Sequence, residues 1–230
     1  MTELIRYALI DTKLKREFVL LQGKGCTWKK CTFCDYYLDI SEKAYEINRE
    51  SLEQVTGKYG ILDVINSGSC IEIDKETIAL INKVAINKNI HTLWFEAHYR
   101  YKDHLSDFAK QFPGKTVKFR CGVESFNKRQ QKEWNKGIPE DVGPKEIAKY
   151  FQGVCLLICT QGQIKQTIID DIEIAKKYFE YFSVNLFCNN STNVKRDENL
   201  AKWFEKEVYP TIKDDDRIEV LLNNTDLGVG

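Results

Sequence analysis

A chain of 230 residues with 34 Lys plus Arg against 34 Asp plus Glu carries no formal net charge, whereas binding duplex or transfer RNA through its phosphates calls for a basic excess or stripe. No apolar run reaches the length of a membrane span, and Met1-Thr2-Glu3 does not open a signal peptide, so nucleic acid and membrane are both set aside as partners. Eight cysteines without a secretion signal point to a reducing, cytoplasmic setting and to metal chemistry rather than disulfides.

Residues 7–10 and 17–21 read as two short strands joined by a polar turn. The second is continuously apolar, as in a strand covered on both faces. It runs into Gly25-Cys26-Thr27-Trp28-Lys29-Lys30-Cys31-Thr32-Phe33-Cys34, where three cysteines stand with four residues and then two between them. Thiolates are soft ligands, and three on one short loop can hold three corners of an iron–sulfur cluster, leaving one iron open. Ser51 is expected to open a weak helix over 51–59, after an earlier helix or loop from Ser41. A strand over 61–65 ends in the small-residue turn Asn66-Ser67-Gly68-Ser69. Asp74 is placed to cap a helix to about 85, with Ile78, Ile81 and Ala85 on its inner face.

A strand over 91–95 ends in Glu96-Ala97-His98, and 104–112 suits a helix stopped by Pro113-Gly114. A strand over 116–123 precedes Glu124-Ser125-Phe126 and a helix to Lys136. Strands over 154–159, 182–187 and 218–222 complete the pattern, with helices to about 179 and over 200–208. About six strand–helix alternations predict an α/β fold with a parallel sheet: a partial (β/α)6 barrel, open on one side, forming a single domain over 1–230. Lys118, Arg120, Gly122 and Glu124 fall on one face of their strand, and Ser183, Asn185, Phe187 and Asn189 on one face of theirs. A polar face suits an open barrel better than a closed, packed one. Ligands in such folds bind at the carboxyl ends of the strands, where the cysteine loop and the polar turns all fall.

The motifs in sequence order resemble the radical S-adenosylmethionine (SAM) enzymes over roughly residues 17–190. The cysteine spacing is four then two where that family usually has three then two. Asn66-Ser67-Gly68-Ser69 stands in place of the family's Gly-Gly-Glu segment but lacks the acid, so only a backbone role carries over. Gly122-Val123-Glu124-Ser125-Phe126, followed by Trp134-Asn135-Lys136-Gly137, is similar to the fourth-strand motif of the coproporphyrinogen dehydrogenase and methylthiotransferase branches. Leu157-Ile158-Cys159-Thr160-Gln161-Gly162-Gln163 sits where those branches carry a Gly-Leu-Pro-Gly-Glu turn. The resemblance implies that Cys26, Cys31 and Cys34 hold a [4Fe–4S] cluster whose free iron chelates SAM. Reductive cleavage of SAM would then give a 5′-deoxyadenosyl radical that abstracts hydrogen. It also implies Phe33 against the adenine, Ser67 and Gly68 at the SAM amino group, Glu124 and Arg120 at the ribose or methionyl group, and Asn185 as a further polar contact. An electron donor such as flavodoxin or ferredoxin follows.

Each sharp reading has a bland rival. Three thiols could hold structural zinc in a non-catalytic interaction module, but zinc needs four closed ligands and no fourth stands at finger or ribbon spacing. Cys155 and Cys159, four residues apart along a strand, lie about 13 Å apart, too far for one metal. Glu96 and His98 share a strand-end face and suit substrate contact. Asn189, Asn223 and Asp226 suit either local turns or recognition of a polar heterocycle. Without room for an RNA- or cobalamin-binding domain, the expected substrate is small. Within the resembling family, a chain of this size is similar to the queuine lyase type, which cleaves queuine to the aminomethyl-7-deazaguanine precursor. Glu96 or Asp226 would then accept the guanine-like N–H donors. A radical SAM enzyme acting on a peptide or other metabolite is the alternative.

Overall fold

A computed structural model describes residues 4–229, so the Met1-Thr2-Glu3 start lies outside the described residues. The chain forms two compact units, one of residues 4–29, 36–119 and 225–229 and one of 30–35 and 120–224.

In the first unit β1 (Tyr7–Ile10), β2 (Arg16–Leu21), β3 (Ile61–Asn66) and β4 (Thr92–Glu96) lie in that order. β1 runs antiparallel to β2, while β2, β3 and β4 are parallel. Phe18, Val19, Leu21, Leu62, Val64, Leu93 and Phe95 are buried, as both-faces-covered strands require. Arg16 and Asp63 form an ion pair of 2.8 Å, both side chains fully sealed. Removing either would strand the other charge, so the pair fixes the register in which β2 meets β3. α2 (Lys75–Asn87) is as expected: Asp74 accepts the Thr77 amide at 2.7 Å, and Ile78, Ile81 and Ala85 point inward.

The helix expected over 51–59 is not formed. α1 (Ala44–Glu53) ends close to where that helix was to begin, and Ser51 donates back to the Ile47 carbonyl at 2.8 Å. Residues 56–58 are drawn away by the Glu17 carboxylate, which accepts the amides of Thr56, Gly57 and Lys58 at 2.7, 2.6 and 2.8 Å. Gly57 turns through φ +84°, where a Cβ would meet the Lys88 carbonyl oxygen at 2.1 Å. The helix expected over 104–112 shrinks to α3 (Leu105–Ala109), preceded by a 3-10 turn over Tyr99–His104.

The second unit takes residues 120–124 of β5 (Thr116–Glu124) and adds β6 (Gly153–Ile158), β7 (Tyr181–Leu186) and β8 (Ile218–Leu221), all parallel and in that order. Its helices are α4 (Lys128–Glu133), α5 (Pro144–Ile147), α6 (Lys165–Tyr178), α7 (Glu198–Trp203) and α8 (Tyr209–Ile212). The helix expected over 200–208 starts at Glu198, capped by Asp197, and gives way to a π-helical turn, Phe204–Val208. On β5 Arg120, Gly122 and Glu124 of the polar face are buried, and so are Cys121 and Val123 of the other face. Among the described residues no helix is long and apolar enough to cross a membrane.

Candidate active site

In the first unit the chain leaves β2 and turns at Gly25, whose φ of +79° suits glycine. The Gly23 amide donates to Ser67 Oγ at 3.2 Å, tying the start of the cysteine loop to the turn after β3. Gly68 lets that turn approach Cys26 closely, since a Cβ there would lie 3.1 Å from Cys26 Cα and 2.3 Å from Glu72 Oε2. Glu72 is a residue that sequence reasoning missed. Its Oε2 accepts the Ser69 amide at 2.8 Å, and its Oε1 accepts the Thr27 amide at 3.0 Å, the Thr27 hydroxyl and the Tyr101 hydroxyl at 2.8 Å. Partial burial opposes ionisation of Glu72, but these bonds outweigh it and hold the carboxyl below its usual range. The acid absent from the turn itself is thus supplied three residues on, brought back by the one-turn 3-10 helix Cys70–Glu72.

The predicted substrate residues of this unit sit at strand ends, in part engaged locally. Glu96 closes β4 and is half-buried. The His98 amide donates to Ser69 Oγ at 3.0 Å, its Nδ1 accepts the Arg100 amide at 3.1 Å, and its ring lies 5.5 Å from that of Trp28. Asp226 is exposed. Asn66 Oδ1, at the end of β3, is buried without a hydrogen-bond partner.

In the second unit Cys31 and Cys34 pack against a cluster of Phe33, Trp134 and Phe187. Backbone ties fix this stretch: the Thr32 amide donates to the Trp134 carbonyl at 3.1 Å, Asn190 Nδ2 to the Phe33 carbonyl at 2.7 Å, and the Ser191 amide to Asp35 at 3.0 Å. Phe33 is 8% exposed, with Trp134 edge-on at 5.4 Å and the Lys136 ammonium 5.7 Å from its ring centroid. Lys136 Nζ donates to Glu124 Oε1 at 2.9 Å, both side chains nearly sealed. Glu124 is placed by a bulge. Gly122 pairs with Cys155 and Glu124 with the next residue, Leu156, so β5 carries one extra residue there. Glu124 itself has φ +64°, a left-handed conformation that a non-glycine residue keeps only when its surroundings insist. They do: Asp171 on α6 accepts the Ser125 hydroxyl at 2.6 Å and the Phe126 amide at 2.7 Å. Burial pushes the Asp171 carboxyl up to about 6 despite these bonds.

Arg120 is buried on the same strand. Asn185 on β7 is half-exposed, with its Oδ1 sealed and unpartnered. Asn189 spends its Oδ1 on the Arg196 amide at 2.9 Å, a local loop tie, and Asn223 is exposed.

No protein-family model and no curated protein matches the chain. Among solved structures it is similar to a queuine lyase from Clostridium spiroforme bound to SAM and queuine. The identity is 42%, the TM-score is 0.94, and the match covers 99% of this chain and 100% of that one. The chain belongs to the queuine lyase family of radical SAM enzymes. Its fold class is α/β, as expected, and the family is the one its motifs resemble.

The donors of this radical SAM chain fit an iron–sulfur cluster in kind. Cys26, Cys31 and Cys34 are free thiols of intermediate exposure. Among the described residues, no three His, Cys, Asp or Glu side chains are gathered so as to hold a single metal ion. The remaining cysteines are mostly core residues. Burial drives the Cys70 thiol upward and the Cys159 thiol up to about 12, and Cys121 and Cys155 are buried. Asn66 in the first unit and Asn185 in the second each keep a buried acceptor without a partner, a state that costs about 1–3 kcal/mol.

Proposed function

We propose that this chain is a radical SAM queuine lyase, a single catalytic domain that cleaves queuine and releases the aminomethyl-7-deazaguanine base. The observation that carries the reading is the 42% identity to a queuine lyase over essentially the full length of both chains. Cys26, Cys31 and Cys34 hold the [4Fe–4S] cluster in this proposal, the soft-donor set that such a cube needs. When bound, the cluster and SAM supply the reductive carbon–sulfur cleavage that provides the hydrogen-abstracting radical.

The chain's own residues bind, aim and exclude water. In our reading the Ser67–Gly68 turn and the Asn66 acceptor receive the SAM amino group, with Glu72 keeping the turn in place. Glu124 and Arg120 meet the ribose or methionyl end. Asn185 turns its amide outward to accept a further N–H or O–H. Phe33, held by Trp134 and Lys136, offers only its exposed edge to the adenine. Glu96 and His98 are proposed for the substrate base, with Asn189, Asn223 and Asp226 as outer contacts. An external donor such as flavodoxin or ferredoxin supplies the electron, and the reaction suits the cytoplasm.

The test is direct. Protein reconstituted without air, then given SAM, dithionite and queuine, should form 5′-deoxyadenosine and the aminomethyl base, both resolved by mass spectrometry. Absence of the base product from iron-replete protein overturns the assignment.

A further inference from the structure

We infer that the Lys136–Glu124 pair is a charge device for the cluster, with Lys136 a positioning residue that sets how readily the cluster accepts its electron. The inference rests on the proposed cluster at the cysteine loop, and it concerns residues that the sequence motif places in order but gives no such task.

Four observations meet here, all within the second unit. Lys136 is a buried cation that forms an ion pair with Glu124 at 2.9 Å. The Lys136 ammonium lies 5.7 Å from the Phe33 ring centroid. Phe33 stands between Cys31 and Cys34, and both thiols pack on the cluster that Phe33 shares with Trp134, two residues before Lys136. Finally, burial opposes the ammonium form of Lys136, while Glu124 and then Cys31 favour it.

A buried pair of this kind is costly to desolvate and is no good reason by itself for a stable fold. Its position gives it a use. Reduction adds an electron to a cluster held by anionic thiolates. A nearby ammonium favours the added charge, and a carboxylate opposes it, both more strongly in a dry interior than in water. With the ammonium beside Phe33 in the cysteine stretch, its charge eases reduction and the carboxylate tempers it. The bulge and the positive φ of Glu124 then hold the carboxylate of that pair at a fixed place.

The test is a dithionite titration of anaerobically reconstituted holoenzyme in the absence of SAM, followed by electron paramagnetic resonance. K136M should lower the midpoint potential, E124Q should raise it, and K136R should stay near wild type. Opposite signs are the signature, because a merely structural pair would move both variants the same way. Equal potentials for wild type and K136M, or shifts of one sign in both variants, overturn the inference. Should K136M fail to fold, E124Q alone decides: a rise supports the device, and no change or a fall ends it. If neither variant takes up wild-type iron and sulfide, the pair is structural and the inference is wrong. If wild type itself takes up no iron, the proposed function fails instead.

Discussion

The two limbs of the cysteine loop are held by opposite kinds of chemistry. The Cys26 limb hangs on a carboxylate: Glu72 gathers Thr27, Tyr101 and the Ser69 amide, and Gly68 brings backbone against backbone. The Cys31–Cys34 limb rests on an aromatic cluster and a buried ammonium, Phe33, Trp134, Phe187 and Lys136. The first kind of hold is directional and lets go when one acceptor is lost. The second is spread over packed area, and only its charge is concentrated in one residue. A single polar substitution should therefore loosen the first limb, whereas the second should yield in redox behaviour before it yields in structure.

The largest effect erases the difference between the limbs. Cys26→Ala, Cys31→Ala or Cys34→Ala should each abolish bound iron and turnover, because three thiolates are the minimum that keeps a cube and leaves one vertex open. Iron and sulfide assays with product detection check this. A Cys26→Ala protein that keeps wild-type turnover would break the comparison outright, since the first limb would then hold nothing of consequence.

Next comes the carboxylate. Glu72→Ala removes an acceptor shared by four donors and leaves the loop amide of Thr27 without its partner. Hydrogen bonds to a charged group contribute about 1.5–3 kcal/mol each when buried, and Glu72 is half-exposed, so the expected loss of stability is about 2–3 kcal/mol in total. The sharper readout is iron lability: a chelator should strip Glu72→Ala faster than wild type, while Tyr101→Phe, which removes one donor, falls between. Gly68→Ala should act on the same limb, costing about 1–3 kcal/mol as its methyl meets the Cys26 backbone. Denaturant titration of the apo and loaded proteins measures both.

Much of this was legible in the sequence, and the remainder fails for one reason. The strand positions, the Asp74 cap and the cysteine loop are local signals, written within a few residues. Helix α1 falls in the stretch from Ser41 where the sequence allows a helix or a loop; the helix expected over 51–59 is absent because Glu17 reaches from β2 to take three amides at 56–58. Glu72 is not legible because it lies outside the turn Asn66-Ser67-Gly68-Ser69 and returns to it only through one 3-10 turn. Lys136 belongs to a sequence motif, yet its partner, twelve residues earlier, follows only from the bulge that re-aims Glu124. Local propensity carries none of these long-range ties.

Asp171 offers a pH test confined to the second limb's side of the comparison. Its folded carboxyl, raised to about 6 by burial, binds a proton more tightly than the unfolded chain, whose ordinary value is about 3.9. The folded state thus holds more protons between those values, and stability falls as pH rises from about 4 to about 6, by roughly 3 kcal/mol in all, then levels. Asp171→Asn should flatten that slope. Chemical denaturation at several pH values reads it, and an unchanged slope would show that another group titrates.

The smallest effect separates binding from folding. Asn185 carries a sealed oxygen with no hydrogen-bond partner, a cost the folded protein bears without ligand. The Asn185→Leu variant, of similar volume, removes the orphan, so it should be as stable as wild type or up to about 1 kcal/mol more stable. If the amide turns outward to accept from SAM, the same change should weaken SAM binding by about tenfold, worth about 1.4 kcal/mol. The melting temperature would then rise for the free protein while the increment added by saturating SAM shrinks. Gain of stability together with loss of binding is a pairing that no packing defect produces, since a defect lowers both. If the SAM increment is unchanged, Asn185 is a flaw of the core and the ligand's donors are met by Asn66 and the Ser67–Gly68 turn instead.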